Sequence, residues 1–284
     1  GAEHSKWQGQ CNSCKSWNTL VEEIIKNPNK KEWKSKNING YSSKPIHIKN
    51  ITSKTIDKIS SGDKELDRVL GGGIVPGSLV LLGGEPGIGK STLLMQVANS
   101  VNGKVVYVSG EESEQQIKLR SERVNKYESD CYLLSETNTQ TLLTHLDNLN
   151  PSLVIIDSIQ TLYSSLIDSS SGSVGQIRTC TAELIHYAKQ THTPIFIVGH
   201  ITKDGSIAGP KVLEHMVDTV LNFEGDRNHL HRILRVHKNR FGTTSELGIY
   251  EMNQSGLKAV KNPSSFLISK YVSDLSGHSI CATI

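Results

Sequence analysis

The fold is decided by residues 79–92, which read LVLLGGEPGIGKST. Four apolar residues lead into a glycine-rich loop, and the loop runs directly into a helical pattern. The loop matches G-x-x-x-x-G-K-[ST], a pattern whose backbone N–H groups curl around phosphates at the positive end of a helix. The match predicts an ATP site formed by Gly84, Glu85, Pro86, Gly87, Ile88, Gly89, Lys90, Ser91 and Thr92. In this pattern Lys90 reaches the β- and γ-phosphates and the Ser91 hydroxyl holds Mg²⁺.

Around this loop, short apolar runs alternate with longer amphipathic stretches. The runs are rich in β-branched residues, which favours buried strands, at 79–82, 105–108, 153–156 and 195–198. Helical patterns fill the intervals at 91–99, 114–126, 139–148 and 174–190, and a further helix is predicted at 63–70. The order predicts an α/β fold with a mostly parallel central sheet flanked by helices on both faces. Further strands are predicted at the sheet edge, at 219–223, 231–236 and 247–252.

Acidic residues follow two of the predicted core strands. Asp157 ends a fully apolar strand, and the carboxyl ends of such strands are where ligands bind in open α/β sheets. We therefore expect Asp157 to help hold Mg²⁺ from its second shell of ligands. A role as helix N-cap is the alternative for Asp157. Glu111 and Glu112 follow the strand at 105–108, and one of them is expected to be the general base that activates water. We favour Glu111, because Glu112 is better placed to begin the next helix, but the choice stays open.

Length and composition narrow the class of protein. The chain has 284 residues, 36% of them hydrophobic and 21% charged, with no apolar run of the roughly 18 residues that a membrane helix needs. We therefore do not expect a membrane protein, a collagen or a disordered tail. The formal charge is only +3, so binding of a polyanion has to come from local basic patches.

Cysteine usage and the N-terminus indicate a cytoplasmic protein. The number of cysteines is odd: Cys11 and Cys14 form a C-x-x-C pair and the other three are scattered, which is not the pattern of a disulfide scaffold. The N-terminus is polar, so we expect no signal peptide. The first residue is Gly1 and the sequence ends on an apolar run at 279–284, so we expect a piece of a longer protein.

Several segments together resemble the bacterial-type RadA (Sms) DNA-repair proteins. They read GEPGIGKS, VSGEES, LVIIDS, GHITKDG, GPKVLEHMVD and KNRFG, at 84–91, 108–113, 153–158, 199–205, 209–218 and 238–242. The string KNRFG is that family's own signature, and the resemblance covers nearly the whole chain from Trp7 onward.

The resemblance implies a RecA-like P-loop ATPase core that assembles as a hexameric ring. It implies action on single-stranded and branched DNA as a branch-migration motor in homologous recombination, beside the RecA recombinase. Similar proteins carry an N-terminal four-cysteine zinc finger and a C-terminal domain similar to the Lon protease. Here only Cys11 and Cys14 are present in the first part, which is half of a closed Zn²⁺ site, so we do not expect bound zinc unless two chains share an ion.

The domain organisation follows from composition and resemblance together. All three tryptophans lie in the first 33 residues, and a Lys-, Asn- and Ser-rich stretch follows them. We expect a partial zinc-finger-like segment at 1–26, a linker at 27–60, the ATPase domain at 61–262 and the start of a truncated Lon-protease-like domain at 263–284.

Two cations in the KNRFG string are candidate catalytic residues. Lys238 and Arg240 are two positions apart, so in an extended segment they project to the same side. The resemblance implies that they reach the nucleotide of a neighbouring subunit, as an arginine finger does. A structural ion pair is the alternative reading.

One histidine is a candidate sensor of the γ-phosphate, and two loops are candidate contacts to DNA. His200 follows a core strand, where RecA-like proteins keep a polar sensor of the γ-phosphate, although a buried and hydrogen-bonded histidine is the alternative. The loops at 164–176 and 203–211, with Lys203, Lys211 and Arg178, are expected to touch a DNA backbone, or else are ordinary surface loops.

The leading hypothesis is a DNA-stimulated ATPase motor. A nucleotide-gated scaffold with slow turnover and a metabolic P-loop kinase are the two alternatives. An ATPase assay with and without single-stranded DNA separates the three.

Overall fold

A computed structural model of the chain describes residues 15, 47–50, 57–124, 130–200, 212–225 and 231–260. Contacts divide the chain into two units, Gly1–Glu32 and Trp33–Ile284, and the account below concerns the second unit.

Strands and helices alternate along the first two thirds of the described part. The strands of the described ranges are β1 (Leu79–Gly84), β2 (Val105–Ser109), β3 (Cys131–Leu134), β4 (Leu153–Asp157), β5 (Ile195–His200), β6 (Thr219–Gly225), β7 (His231–Asn239), β8 (Leu247–Asn253) and β9 (Gly256–Ala259). The helices are α1 (Lys64–Val69), α2 (Lys90–Ser100), α3 (Glu114–Val124), α4 (Thr139–Leu149), α5 (Val174–Thr191) and α6 (Val212–Met216), with short 3-10 helices at Ile48–Asn50 and Ile159–Thr161.

These strands form one sheet in the order β3-β2-β4-β5-β1-β6-β7-β8-β9. Neighbouring strands from β3 to β6 pair in parallel, and β6 to β9 pair as an antiparallel meander. The mostly parallel α/β fold predicted from the sequence is confirmed.

Two hydrophobic clusters cover the two faces of the sheet. Alternate residues of β1 point to opposite faces, so Val80 and Leu82 pack with α2 while Leu79 and Leu81 pack with α4 and α5. Because both faces are covered, the central strands are apolar at nearly every position, and all six residues of β1 are buried.

The predicted helices form close to their expected ends, because local capping fixes them. The Asp63 side chain accepts from the backbone N–H groups of Glu65 and Leu66 at the start of α1, and Asn138 accepts from Thr141 N at the start of α4. Each bond satisfies a backbone donor that has no partner inside its helix.

Within the described ranges, the sequence analysis missed the two short 3-10 helices, the strands β3 and β9 and the helix α6, and it predicted β7 too short. β3 is a short, half-exposed edge strand, and β9 and α6 have only four and five residues. β7 continues to Asn239 instead of ending at residue 236, with a register shift opposite Val220 and Leu221. Lys238 therefore belongs to β7, and Arg240 follows it directly.

The sheet order determines where ligands can bind. β2, β4, β5 and β1 are consecutive in the sheet and parallel, so their carboxyl ends meet at one edge. Polar residues lie at or just after the carboxyl ends of these four strands, and this edge is where open α/β sheets bind ligands. No helix within the described ranges is both long and apolar enough to span a membrane.

Candidate nucleotide site

A cleft of about 310 Å³ lies at the carboxyl edge of the four central strands. It is lined by Pro86, Gly87, Gly89, Lys90, Ser91, Thr92, Ser109, Glu111, Glu112, Arg120, Asp157 and His200. The cleft therefore brings together residues that the sequence placed in four separate motifs. Gly84, Glu85 and Ile88 complete the loop itself.

The loop between β1 and α2 has a backbone that only glycine suits at its last position. Gly89 has a φ of +116°, and a Cβ there would lie 2.7 Å from Met252 Cε on β8. The left-handed backbone disfavours a side chain at this position, whereas the flexible end of Met252 could move aside. Gly87 also has a positive φ, +76°, and no atom of the described residues lies within 4 Å of a Cβ built there. The loop thus curls in front of the N-terminus of α2 and leaves open space for a ligand.

Lys90, the first residue of α2, is 4% exposed and turns back into the loop. Its Nζ donates to the carbonyls of Gly84 at 2.7 Å and Glu85 at 2.8 Å. Burial lowers the pKa of Lys90, and the negative charges of Asp157, Glu111 and Glu85 oppose that shift. The ammonium is thus held at the rim of the loop, where phosphate oxygens would lie.

Asp157, at the end of β4, is 8% exposed and held by a tyrosine. The Tyr107 hydroxyl of β2 donates to Asp157 Oδ2 at 2.7 Å. Ser158, and not Asp157, stands at the cap position of the short helix Ile159–Thr161. Asp157 is therefore not the cap of this helix, and its role in holding Mg²⁺ stays a prediction.

Glu111 and Glu112 have different surroundings. The Ser158 hydroxyl donates to Glu111 Oε1 at 2.6 Å, and His200 Nε2 lies 3.3 Å from the same oxygen. Glu112 instead forms an ion pair with Arg120 of α3. Glu112 does not begin α3, as the sequence had suggested, because that helix starts at Glu114.

The turn that carries these two acids is set by its own residues. Ser109 Oγ accepts from the backbone N–H groups of Glu112 at 3.1 Å and Glu111 at 3.4 Å. A Cβ at Gly110 would lie 2.5 Å from Thr161 Oγ1, so only glycine lets the turn approach the segment after β4. The string SGEES therefore aims Glu111 at the cleft through backbone geometry.

The polar groups of the cleft fit a nucleoside triphosphate with Mg²⁺. Two buried nitrogen atoms, Arg120 Nη1 and His200 Nδ1, have no hydrogen-bond partner in the described part of the chain. Mg²⁺ is usually held by one or two protein oxygens together with phosphates and water, and Ser91 and Asp157 both line this cleft. Arg120, Tyr107 and Ser158 were missed by sequence reasoning, although Ser158 directly follows the acid of the β4 motif.

Lys238 and Arg240 point toward the same segment, the connection between α6 and β6. Lys238 Nζ donates to the carbonyls of Val217, Glu214 and His215 at 2.7, 2.8 and 3.2 Å. Arg240 Nη1 lies 3.2 Å from Oδ1 of Asp218, a carboxylate that also pairs with Lys189 at 2.9 Å. The structural ion pair that was the alternative reading of Arg240 is present.

Both cations lie far from the loop of their own chain. Arg240 N bonds to Asp218 O, and Asp218 N bonds to Leu79 O, at the beginning of β1. Gly84 lies five residues further along β1, about 16 Å away at a strand rise of about 3.3 Å per residue. Arg240 is therefore at the opposite end of β1 from the phosphate loop.

The asparagine of the KNRFG string shapes the turn that carries Arg240. Asn239 Oδ1 accepts from Phe241 N at 2.9 Å and from Thr219 Oγ1 at 3.3 Å, and Asn239 Nδ2 donates to Leu70 O at 3.3 Å. The turn is thus tied to β6 and to the end of α1.

The loop after β4 is folded around one buried side chain. Gln176 Oε1 accepts from Ser164 N at 2.8 Å, and Gln176 Nε2 donates to the carbonyls of Ser169, Ser164 and Ile167. Arg178 is exposed on the first turns of α5. The other predicted DNA-contacting residues, Lys203 and Lys211, and the candidate zinc ligands Cys11 and Cys14 lie outside the described residues.

Two family models match the chain. The model described as AAA domain matches residues 44–206, and the model described as Rubredoxin metal binding domain matches residues 1–22. The second range contains Cys11 and Cys14.

Curated relatives match over the full length of the chain. DNA repair protein RadA from Listeria monocytogenes is 50% identical over 287 residues, and DNA repair protein RadA from Bacillus subtilis is 50% identical over 289 residues. All of this chain is covered in both cases, together with 62% and 63% of the relatives. The chain thus spans less than two thirds of the length of these relatives.

Solved structures share the fold. A KaiC-like protein from Pyrococcus horikoshii matches with a TM-score of 0.60 and 18% identity, covering 72% of this chain and 100% of that chain. The RadB recombinase matches with a TM-score of 0.57 and 22% identity, covering 71% of this chain and 99% of that chain.

Proposed function

Since the chain belongs to the AAA domain family and is homologous over its full length to DNA repair proteins named RadA, we propose that it is an ATP hydrolase. In this proposal DNA stimulates the hydrolysis, and the activity serves homologous recombination and DNA repair. The observation that carries the proposal is the position of Glu111, which lines the same cleft as Lys90 and contacts both Ser158 and His200. A base, a phosphate-binding cation and a candidate sensor are thus in one cleft.

The loop and α2 hold the nucleotide in this proposal. The backbone N–H groups around Gly87 and Gly89 and the N-terminus of α2 bind the phosphates, and Lys90 moves from the loop carbonyls to the β- and γ-phosphate oxygens. Ser91 and Asp157 hold Mg²⁺, which neutralises charge on the phosphates when it is bound. Tyr107 holds one oxygen of Asp157, and in this proposal the other oxygen serves Mg²⁺.

Glu111 is the proposed general base. Its carboxylate is about half exposed and is oriented by the Ser158 hydroxyl, so it can orient a water molecule and take its proton. Glu112 is less suited, because its charge is compensated by Arg120. His200 joins Glu111 to the end of β5, and a histidine in contact with the base is well placed to respond to the γ-phosphate.

Lys238 and Arg240 are proposed to serve the nucleotide of a neighbouring subunit. They lie at the opposite end of β1 from their own phosphate loop, so a role in phosphate chemistry requires a second copy of the chain. This arrangement supports a ring, for which the family resemblance suggests six subunits. Charge that builds on the γ-phosphate would then be stabilised across each interface.

DNA and partner proteins complete the proposal. The loop at 164–176 follows β4 at the carboxyl edge of the sheet, and a ring would bring six such loops together around single-stranded or branched DNA. The proposed activity is that of a motor for branch migration that works beside the RecA recombinase in the cytoplasm, as the family resemblance implies. The family match at 1–22 supports a Zn²⁺ site in which Cys11 and Cys14 supply half of the ligands.

An ATPase assay with and without single-stranded DNA tests the proposal, with Lys90→Ala as the inactive control. We expect turnover that DNA stimulates and that Lys90→Ala abolishes, since this variant removes the cation facing the phosphates. Slow turnover that DNA leaves unchanged would favour the nucleotide-gated scaffold. Transfer of phosphate to a small acceptor would favour the kinase. Normal turnover by Lys90→Ala would reject the site itself.

A further inference from the structure

Arg120 is the second cation of the nucleotide cleft. Among the described residues that line the cleft, Lys90 and Arg120 are the lysine and the arginine, and three carboxylates line the same cleft. The Arg120 side chain is 17% exposed, so most of it is removed from water. A buried guanidinium is stable only where its donors are satisfied.

One end of the guanidinium is satisfied and the other is not. Nη2 pairs with Glu112 Oε1. Nη1 is buried and has no hydrogen-bond partner among the residues that the structure describes. Leaving a charged donor unpaired costs more than leaving a neutral one, which indicates that a ligand supplies the missing acceptor.

The surroundings indicate which part of a nucleotide this acceptor is. The Arg120 guanidinium forms an ion pair with Glu112, which is the neighbour of the proposed base Glu111. The guanidinium therefore lies near the turn that follows β2. Its positive charge also acts on Tyr107, where it opposes the rise that burial causes in the pKa of the hydroxyl. Arg120 thus belongs to the hydrolytic end of the cleft, where the base has to meet the terminal phosphate.

We propose that Arg120 binds an oxygen of the terminal phosphate of a nucleoside triphosphate through Nη1, while Nη2 stays paired with Glu112. This inference rests on the proposed function, because it requires the cleft to hold a triphosphate. Arg120 then distinguishes ATP from ADP within its own chain. This role is independent of Lys238 and Arg240, which are proposed to act on the nucleotide of a neighbouring chain. A planar guanidinium suits this double role, because it presents several donors in a fixed fork.

Equilibrium binding of fluorescent nucleotides in Mg²⁺ tests the inference without turnover. Arg120→Ala should weaken binding of a non-hydrolysable ATP analogue roughly tenfold or more, the order of one charge-assisted hydrogen bond. Binding of ADP should change by less than about twofold, because ADP lacks the oxygen in question. The matched control is Arg123→Ala, which removes an exposed arginine from the same helix and should leave both affinities as they are.

A double-mutant cycle with Glu112→Gln separates phosphate binding from neutralisation of Glu112. If Arg120 binds phosphate, its removal weakens binding of the ATP analogue in the Glu112→Gln background as well. If the loss disappears in that background, Arg120 only compensates Glu112 and the inference is overturned. Equal loss of ATP analogue and ADP, or no loss of either, overturns it too. Should Arg120→Ala fail to fold, Arg120→Gln carries the same comparison.

Failure of this inference is distinguishable from failure of the proposed function. Lys90→Ala should lose both nucleotides, and normal binding by Lys90→Ala would reject the nucleotide site altogether. If Lys90→Ala loses binding while Arg120→Ala keeps the preference of the unaltered chain for the ATP analogue, only the role of Arg120 is wrong.

Discussion

Tyr107 and Asp157 lie on neighbouring parallel strands, and the Tyr107 hydroxyl donates a 2.7 Å hydrogen bond to Asp157 Oδ2. Ser109 is the register partner of Asp157, so Tyr107, two residues earlier, faces the same side of the sheet. Burial and the charge of Asp157 raise the pKa of Tyr107 well above its usual range. The hydroxyl therefore stays protonated and remains a donor to the acid that is proposed to hold Mg²⁺.

The first prediction concerns this hydrogen bond. Tyr107→Phe keeps the buried ring and removes only the donor, so Asp157 should be held less firmly. We expect the Mg²⁺ concentration for half-maximal nucleotide binding to rise roughly threefold to tenfold, which is part of the strength of a hydrogen bond to a charged carboxylate, because Asp157 itself is retained. Fluorescent ATP titrated at several Mg²⁺ concentrations measures this shift.

Tyr250→Phe is the matched control for Tyr107→Phe. It removes another buried hydroxyl, one that contacts Asp63 on the side of α1 and lies outside the lining of the cleft. Equal Mg²⁺ dependence in the two variants would mean that the Tyr107 hydroxyl serves stability alone.

The second prediction separates the two acids after β2. Glu111→Gln should keep ATP and Mg²⁺ bound while slowing hydrolysis by roughly 10²-fold or more, the order expected for loss of a general base. Glu112→Gln should slow hydrolysis much less, because Glu112 is paired with Arg120. Single-turnover hydrolysis measures both variants, and the reverse ranking would make Glu112 the base.

Much of this site was predictable because its parts are local in sequence. The phosphate loop, the strand before it and the helix after it form one continuous stretch, and Asp157 ends an apolar run. Such motifs carry their own structural context, so the sequence placed them on the correct strand ends. The helix at 139–148 was predicted to within one residue for the same reason, since Asn138 caps it.

Contacts between distant segments were not predictable in this way. In the sequence, nothing distinguishes Arg120 from the other basic residues of its amphipathic helix. Its relation to Glu112 and to the cleft depends on the fold. Lys238 contacts carbonyls more than twenty residues away, at the end of a five-residue helix too short to give a clear periodic pattern. β3 and β9 were missed because a strand of four residues offers too few positions for alternation to show.

The third prediction concerns alkaline stability and the Cys180 thiol. Burial raises the pKa of Cys180 from 9.0 to about 12, with a smaller contribution from the charge of Glu183. Because the folded pKa is the higher one, the unfolded chain loses this proton first as the pH rises. The thiol's contribution to the free energy of unfolding is thus fully present below pH 9.0 and is lost between pH 9.0 and about 12.

Cys180→Ala measures that contribution. Between pH 9 and pH 10 the free energy of unfolding of the unaltered chain should fall more steeply than that of the variant, by up to about 1.4 kcal/mol per pH unit. Urea unfolding at several pH values gives both slopes. Parallel slopes would mean that the buried thiol has no raised pKa.

The fourth prediction concerns the two cations at the far end of β1. Lys238→Ala and Arg240→Ala should each still bind ATP but hydrolyse it poorly, because their own phosphate loop is intact while the charge on the neighbour's transition state is left uncompensated. Loss of Arg240 also removes one of two cations from Asp218, so thermal unfolding should be measured beside activity. Lys189→Ala, which removes the other cation of Asp218, is the matched control and should affect stability without the same loss of hydrolysis.

Mixing two inactive variants decides whether the clamp acts between subunits. Lys90→Ala has an intact pair of cations, and Arg240→Ala has an intact phosphate loop, so a ring containing both has some interfaces at which a good loop meets a good clamp. Hydrolysis should therefore rise on mixing above the level of either parent, and the gain should depend on the ratio of the two chains and on subunit exchange. DNA should stimulate only the mixtures that assemble.

The geometry leaves no route for Arg240 to its own loop, about 16 Å along β1, so activity regained on mixing has to come from the interface. A mixture that stays as inactive as its parents, despite co-assembly demonstrated by pull-down of a tagged chain, would leave Arg240 with its ion pair to Asp218 and no part in hydrolysis.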